Sequence, residues 1–485
     1  MKPATAFRGL LGALLIFSFG NPLFAQDVRG KIRQVETGLF PTMQIADSNY
    51  HPSTIEQRLK DLHIPGVSVA VINNYKLEWA KGYGMADVAS NSAVTPATLF
   101  LAGSISKSVN ALGVLKLADQ KKIDLNTNIN DYLRSWKFPE DSFTKDNKIT
   151  TANLLSHTAG LSVHGFPGYT PGDSIPSLQQ ILDGQRPANT EAVRSIFPPG
   201  TKFKYSGGGT TITQLMITDL TKKPYEEYME KEVLKPLNMQ NSTYKQPVKK
   251  GAWKQYATAY STNGQAVKGR FHIYPEMAAA GLWTNATDLS KFIIETQLSY
   301  KGKSNKVLSP AMTRTMLTFY VDSSVGMGVF LPEQDGKKFF SHGGADEGFR
   351  AFYFGSLEDG YGAVVMVNSD NGNIMGEIMN SIAAVYNWPS LFPVNKRKTV
   401  TLPPDSLRQF TGRYYFPTKD SAWVEMKDNK LYIRLNNDQP TQAFFTDGRS
   451  FFTFDYPSRL SFITNEKNEI ELQARGSEIL IGKRK

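Results

Sequence analysis

The sequence predicts an α+β fold, in which one mainly antiparallel sheet is flanked by helices, interrupted by a helical subdomain, and followed by a small all-β barrel or sandwich. Two observations carry this. Strand-like runs stand at both ends of the stretch from Ile64 to Val385, and the region between, about Lys122 to Tyr320, reads as helix and loop broken by Pro167, Pro171, Pro176, Pro187, Pro198 and Pro199. Past Lys396-Arg397-Lys398 and Pro403-Pro404 the pattern changes to short alternating runs separated by Asp-Asn, Asn-Asn, Asp-Gly and Asn-Glu turns. The chain therefore divides into residues 1–25, 26–395 and 396–485.

The first segment reads as a secretory signal: Lys2 and Arg8, an apolar run from Leu10 to Phe19, and Leu23-Phe24-Ala25, with cleavage expected after Ala25 and a periplasmic or secreted destination. The run is shorter than the about 20 residues a bilayer span needs, and no later stretch approaches one. There is no Cys, hence no lipid-attachment thiol and no disulfide, and the core alone must hold the mature chain. Next comes a hairpin, Gly66 to Ile72 and Lys76 to Tyr83, about Asn73-Asn74. A helix after Ser104 carries Val109, Leu112, Val114, Leu115 and Leu117 among small residues, which buries most of its surface. Strands are expected near Gly326 to Leu331, Lys338 to Ser341, Phe349 to Phe354 and Gly362 to Val367, with turns at Asp335-Gly336 and Asp359-Gly360 and then a helix from Ile374 to Val385. In the last segment the runs are Trp423 to Met426, Leu431 to Leu435, Phe444-Phe445, Phe451 to Phe454, Leu460 to Ile463, Ile470 to Leu472 and Ile479 to Ile481. That β domain reads as a structural or binding accessory.

The net charge of +11 falls to +9 once Lys2 and Arg8 leave with the signal. Lys and Arg are scattered singly among Asp and Glu, with no basic stripe interleaved with aromatics, so the partner is not nucleic acid. Anionic cell-wall or membrane surfaces fit an exported basic protein better.

Chemistry concentrates at Leu101-Ala102-Gly103-Ser104-Ile105-Ser106-Lys107. A serine that does acyl chemistry needs a group to take its proton, and three residues on along a helix Lys107 shares its face. The unpaired N–H groups of the helix start can receive an oxyanion. S-x-x-K recurs at Ser142 to Lys145 and at Ser242 to Lys245, but the first lies in an acidic loop and Pro247 stops a helix at the second. The plainer reading of Lys107 is a partner for some carboxylate. Two more small-residue turns present one ionisable group each: Phe203-Lys204-Tyr205-Ser206-Gly207-Gly208-Gly209 and Phe340-Ser341-His342-Gly343-Gly344-Ala345. Alone, Tyr205 could be a core aromatic and His342 a strand-end histidine. No H-E-x-x-H occurs and the six His show no ligand spacing, so no metal is expected; G-x-S-x-G is also absent.

In this order the three motifs resemble those of the serine β-lactamase and penicillin-binding-protein superfamily, in its class C β-lactamase, DD-peptidase and esterase branch: S-x-x-K, Y-x-N, and K-T-G or H-x-G. Leu154-Leu155-Ser156-His157-Thr158-Ala159-Gly160-Leu161 and Ala279-Ala280-Gly281-Leu282-Trp283-Thr284 are similar to further segments of that branch, and the tail resembles the lipocalin-like barrel often appended to it. The resemblance implies a β-lactamase/transpeptidase-like fold and an exported serine hydrolase acting without a cofactor, through an acyl-enzyme, on ester, amide or peptide-like substrates that include cell-wall fragments. Ser104 is then the nucleophile, Lys107 and Tyr205 share the proton work, and His342 assists Tyr205 or binds a substrate carboxylate. The N–H groups of Ser104 and Ala345 form the oxyanion hole. Gly207 stands where the branch has Asn, which argues against a dedicated β-lactamase and, with Gly208 and Gly209, implies a wider site. Gly344 borders the substrate, and Arg350, on the next strand, could supply a charge that a neutral His342 lacks if it faces the cleft, or be an ordinary surface arginine. His157 is expected to fix backbone near the site. The reading from another class is a sensor-type or degenerate binding protein that acylates without turnover or does neither.

Overall fold

The computed structural model describes residues 22–484 apart from 419, 437–438, 455–458 and 476–478. The signal assigned to residues 1–25 lies outside them as far as residue 21, and the expected cleavage point after Ala25 falls within the helix Pro22–Thr37. Among the described residues no helix is long and apolar enough to cross a membrane.

The main sheet has seven strands, in spatial order Ser92–Ala93, Lys76–Asp87, Gly66–Asn73, Gly362–Val367, Phe349–Ser356, Lys337–Asp346 and Glu333–Gln334, each antiparallel to its neighbours. The first hairpin turns on Asn74 and Tyr75, both at positive φ, one residue later than the pattern suggested; Gly360 O accepts the Tyr75 N–H and holds it there. Period-two alternation divides the sheet between two cores. Ala70, Ile72, Phe340, Tyr353, Val364 and Met366 face the helical side. Val67, Val69, Val71, Phe354, Val365 and Val367 face the terminal helices Pro22–Thr37 and Asn373–Tyr386.

Helices of 15 residues, Ile105–Asp119, Gly207–Thr221 and Ala286–Tyr300, build the helical side. Gly355 and Gly362 leave room for Ile293 of the last to lie against the sheet. The expected strand at Gly326 to Leu331 does not form. Gly328 N–H goes to Leu155 O and its carbonyl to Ser108 Oγ, so its backbone is committed to the helices; only Val325 and Ser341 bridge to Phe330.

Among the described residues after 400, nine strands follow one another in a single sheet from Thr441–Gln442 round to Phe444–Phe445. Its two end strands are separated in the chain only by Ala443, so the sheet nearly closes into a barrel. At the boundary between the second and third segments, Asn395–Arg397 pairs in parallel with Met43–Ile45.

Candidate active site

Phe100–Leu101 pairs with Trp283–Thr284, and the chain then turns at Gly103 (φ 52°) into the Ile105–Asp119 helix. A Cβ on Gly103 would stand 2.4 Å from Ala345 N, so only glycine lets the turn meet the sheet. Ser104 sits at the cap position, yet its side chain makes no capping bond, and its Oγ accepts from Lys107 Nζ at 3.0 Å. Lys107 is 3% exposed; its second hydrogen bond goes to Ala279 O at 2.8 Å, and Nζ lies 5.0 Å from the Tyr205 ring centroid. None of the ion pairs among the described residues involves Lys107, which removes the plainer reading of it as a carboxylate's partner. The serines on either side of Lys107 hold the scaffold. Ser106 Oγ accepts the Leu282 N–H, and Ser108 Oγ donates to Gly328 O.

Tyr205 immediately precedes the Gly207–Thr221 helix, whose cap Ser206 accepts the Gly209 N–H and donates to Ser162 O. Its ring is enclosed by His157 at 4.2 Å between centroids, His164 at 4.9 Å, His342 at 6.1 Å and Phe330 at 6.4 Å. His157, buried at φ 57°, accepts the Ser206 N–H on Nδ1 and so fixes the backbone next to Tyr205. Burial, and then the charge of Lys107, hold its pKa well below the ordinary imidazole value. Gly207 does not widen the site. Its N–H is given to His164 O, and a Cβ there would meet that carbonyl at 3.0 Å and the Phe166 ring at 3.1 Å, so the 164–166 segment fills the space a side chain would need.

His342 lies on the Lys337–Asp346 strand, free of a partner strand along its outer edge past Ser341. Its Nδ1 donates to Gly343 O at 2.6 Å, because a carbonyl can only accept, which leaves Nε2 as an acceptor. Burial, then Lys107, lower its pKa to about 3, so the ring is neutral. Phe339 N–H and Ser341 N–H point outward, to Pro332 O and Phe330 O; by alternation the N–H groups of Gly343 and Ala345 point the same way, and Ala345 N comes against the Gly103–Ser104 turn. Gly344 makes that approach possible, since a Cβ on it would stand 2.0 Å from Ala102 O.

Arg350 does not supply charge to this cleft. It pairs with Ala345 and so shares the sheet face of Phe352 and Phe354, opposite to His342 and its partner Tyr353. Its guanidinium binds Asp370 at 2.9 Å and the carbonyls of Asp346 and Phe349.

Two carboxyls went unread in the sequence. Asp346, on the His342 face, and Glu276, just before the Met277–Ala280 helix that presents Ala279 O to Lys107, are both buried, and among the described residues neither carboxyl has a side-chain hydrogen-bond partner. Burial pushes Glu276 up to about 8 and Asp346 well above the carboxylate range, against the pull of Lys107 on the latter. An acidic residue inside a run of small and apolar ones, Pro275-Glu276-Met277-Ala278 or Gly344-Ala345-Asp346, is the signal that could have marked them.

The Beta-lactamase family model matches residues 52–385. Protein flp of Staphylococcus aureus (strain MRSA252) is 27% identical over 329 residues, 65% of this chain and 61% of flp, so the match spans less than two thirds of that relative's length. The unguisins hydrolase ungD' of Aspergillus campestris is 30% identical over 270 residues, 53% of this chain and 48% of its own. The D-amino acid amidase from Ochrobactrum anthropi SV3, solved with L-phenylalanine amide, superposes with a TM-score of 0.55 over 74% of this chain and 99% of its own at 19% identity, a likeness of fold.

Proposed function

The chain belongs to the Beta-lactamase family, and from that premise we propose that it is an exported serine hydrolase that works through an acyl-enzyme on esters and amides, including peptide-like ones built of D-amino acids. The observation that carries this reading is the 3.0 Å contact of buried Lys107 Nζ with a Ser104 Oγ that makes no capping bond, beside the Tyr205 ring. Ser104 Oγ attacks the substrate carbonyl. The hydroxyl proton passes to Tyr205, which takes it as the phenolate, while Lys107 Nζ donates to the same oxygen. The N–H groups of Ser104 and Ala345 take the oxyanion, a device worth on the order of 3 kcal/mol per donor. Tyr205 returns the proton to the leaving group, and water then releases the acyl group by the same route. A hydrolase and an amidase among similar proteins favour the same reaction class.

A fluorophosphonate probe should label Ser104, and Ser104→Ala should lose both label and p-nitrophenyl ester hydrolysis, by roughly a thousandfold or more in kcat/KM. Equal labelling of the Ser104→Ala variant would sink the mechanism. Release of product beyond one equivalent per chain excludes the sensor-type reading, and a stable adduct after a single burst supports it.

A further inference from the structure

We propose that the cleft between the outer face of the C-terminal barrel and the Asn395–Arg397 strand is a binding site for a phosphate group, which gives the barrel a ligand of its own. The cleft has a volume of about 460 Å³ and is lined by Arg397, Arg459 and Arg475 together with Ser450 and Ser461. Arg459 and Arg475 are direct cross-strand partners on neighbouring barrel strands. Like charges placed opposite one another destabilise a sheet, so the apo fold bears a cost here that a bound anion removes. The third arginine arrives from outside the barrel, on the strand that pairs with Met43–Ile45, and rests on the Phe452 ring at 5.1 Å. Its pKa is lowered by burial and by the charge of Arg459.

Among the described residues no carboxylate forms an ion pair with any of the three. The ion-paired arginines among the described residues are Arg58, Arg194, Arg270, Arg350 and Arg408. Asp447 also borders the cleft as a carboxylate, its Oδ1 accepting the backbone N–H groups of Arg449 at 2.8 Å and Ser450 at 2.6 Å, so one negative charge stands against the three arginines and the lining stays positive. Gln473 holds Arg475 in place through Nε at 2.6 Å, which leaves the other guanidinium N–H groups for a ligand. Three forked donors and two hydroxyls, 3.4 Å apart, suit an anion with several oxygens and more than one charge. A phosphate monoester carries roughly −1.5 to −2 at pH 7 with three acceptor oxygens, a closer match than the single charge of a carboxylate.

The test is calorimetric titration of the full chain at low ionic strength with inorganic phosphate, with glycerol 3-phosphate and with acetate. Both phosphates should bind, acetate should not, and Arg459→Gln and Arg397→Gln should each weaken binding by about tenfold or more, with p-nitrophenyl ester hydrolysis unchanged. Tighter binding of glycerol 3-phosphate identifies a phosphate ester as the ligand, tighter binding of inorganic phosphate the free anion, and either supports the site. In phosphate-free buffer Arg459→Gln should melt no lower than the parent, since it removes a like-charge pair, and phosphate should raise the Tm of the parent alone. No binding of either phosphate, equal binding by the arginine variants, or acetate bound as tightly as phosphate overturns the proposal.

Discussion

At His342 one side chain decides which substrates the site can hold. A lysine there would be charged throughout the physiological range, whereas this imidazole is held neutral by burial, and the nearest arginine in sequence, Arg350, is spent on Asp370 across the sheet. A neutral edge strand holds a terminal carboxylate poorly. Short-chain esters and amides without a free carboxylate should therefore be turned over better than peptides ending in one, and His342→Lys should shift the ratio of specificity constants toward the carboxylate by about tenfold. A parent enzyme that prefers a D-alanyl-D-alanine peptide to a short-chain ester by that margin would contradict this. Ser104, Lys107, Tyr205 and His342 were legible because each is an ionisable or nucleophilic residue set in a turn of small ones. Arg350 was misjudged because facing depends on strand parity: counting back from its partner Ala345 puts it on the far face, and the register across a two-residue turn is fixed only once the hairpin is formed.

Among the elements, the Lys337–Asp346 strand and the turn before the Ile105–Asp119 helix act as one unit, because two glycines let backbone touch backbone. Gly344→Ala would place a Cβ 2.0 Å from Ala102 O and force the strand away from the Ser104 turn, parting the two N–H groups assigned to the oxyanion. The expected result is a fall in kcat of roughly a hundredfold, with a smaller change in KM and a cooperative melt retained. An unchanged kcat would mean that Ala345 N–H is not an oxyanion donor. The strands with apolar alternation and Asp-Gly turns were readable in the sequence, as was the buried helix. The Gly326–Leu331 stretch was not, because its backbone partners, Leu155 O and Ser108 Oγ, belong to helices distant in the sequence. Gly412–Tyr415 and Thr441–Gln442 escaped notice because strands this short carry too few alternations.

Over the whole molecule, the presence of a second, all-β domain could be read from composition, but the parallel pairing of Asn395–Arg397 with Met43–Ile45 could not, since no local pattern reports contact between chain segments so far apart. The buried ionisable groups set the pH range in which the molecule is most stable. His342 and His157 have folded pKa values below their unfolded ones, so between about 3 and 6.5 the unfolded chain binds more protons and stability rises with pH, levelling above 6.5. Glu276 behaves oppositely. Its folded pKa of about 8 lies above the unfolded 4.5, so its contribution is complete below 4.5 and is lost as pH rises toward 8; Asp346 is shifted in the same direction. The two trends oppose each other between 4.5 and 6.5, which puts the broad maximum there and a decline above it. At about 1.4 kcal/mol per pKa unit, Glu276 accounts for a loss of several kcal/mol across its window. Glu276→Gln keeps the shape of the side chain without the titration, so urea melts at pH 6.5 and pH 8, a range in which the histidine contribution has levelled, should show a smaller difference for this variant than for the parent, with the variant the more stable of the two at pH 8. If the parent's urea midpoint is the same at both pH values, Glu276 is not held protonated by its burial and the pH argument fails.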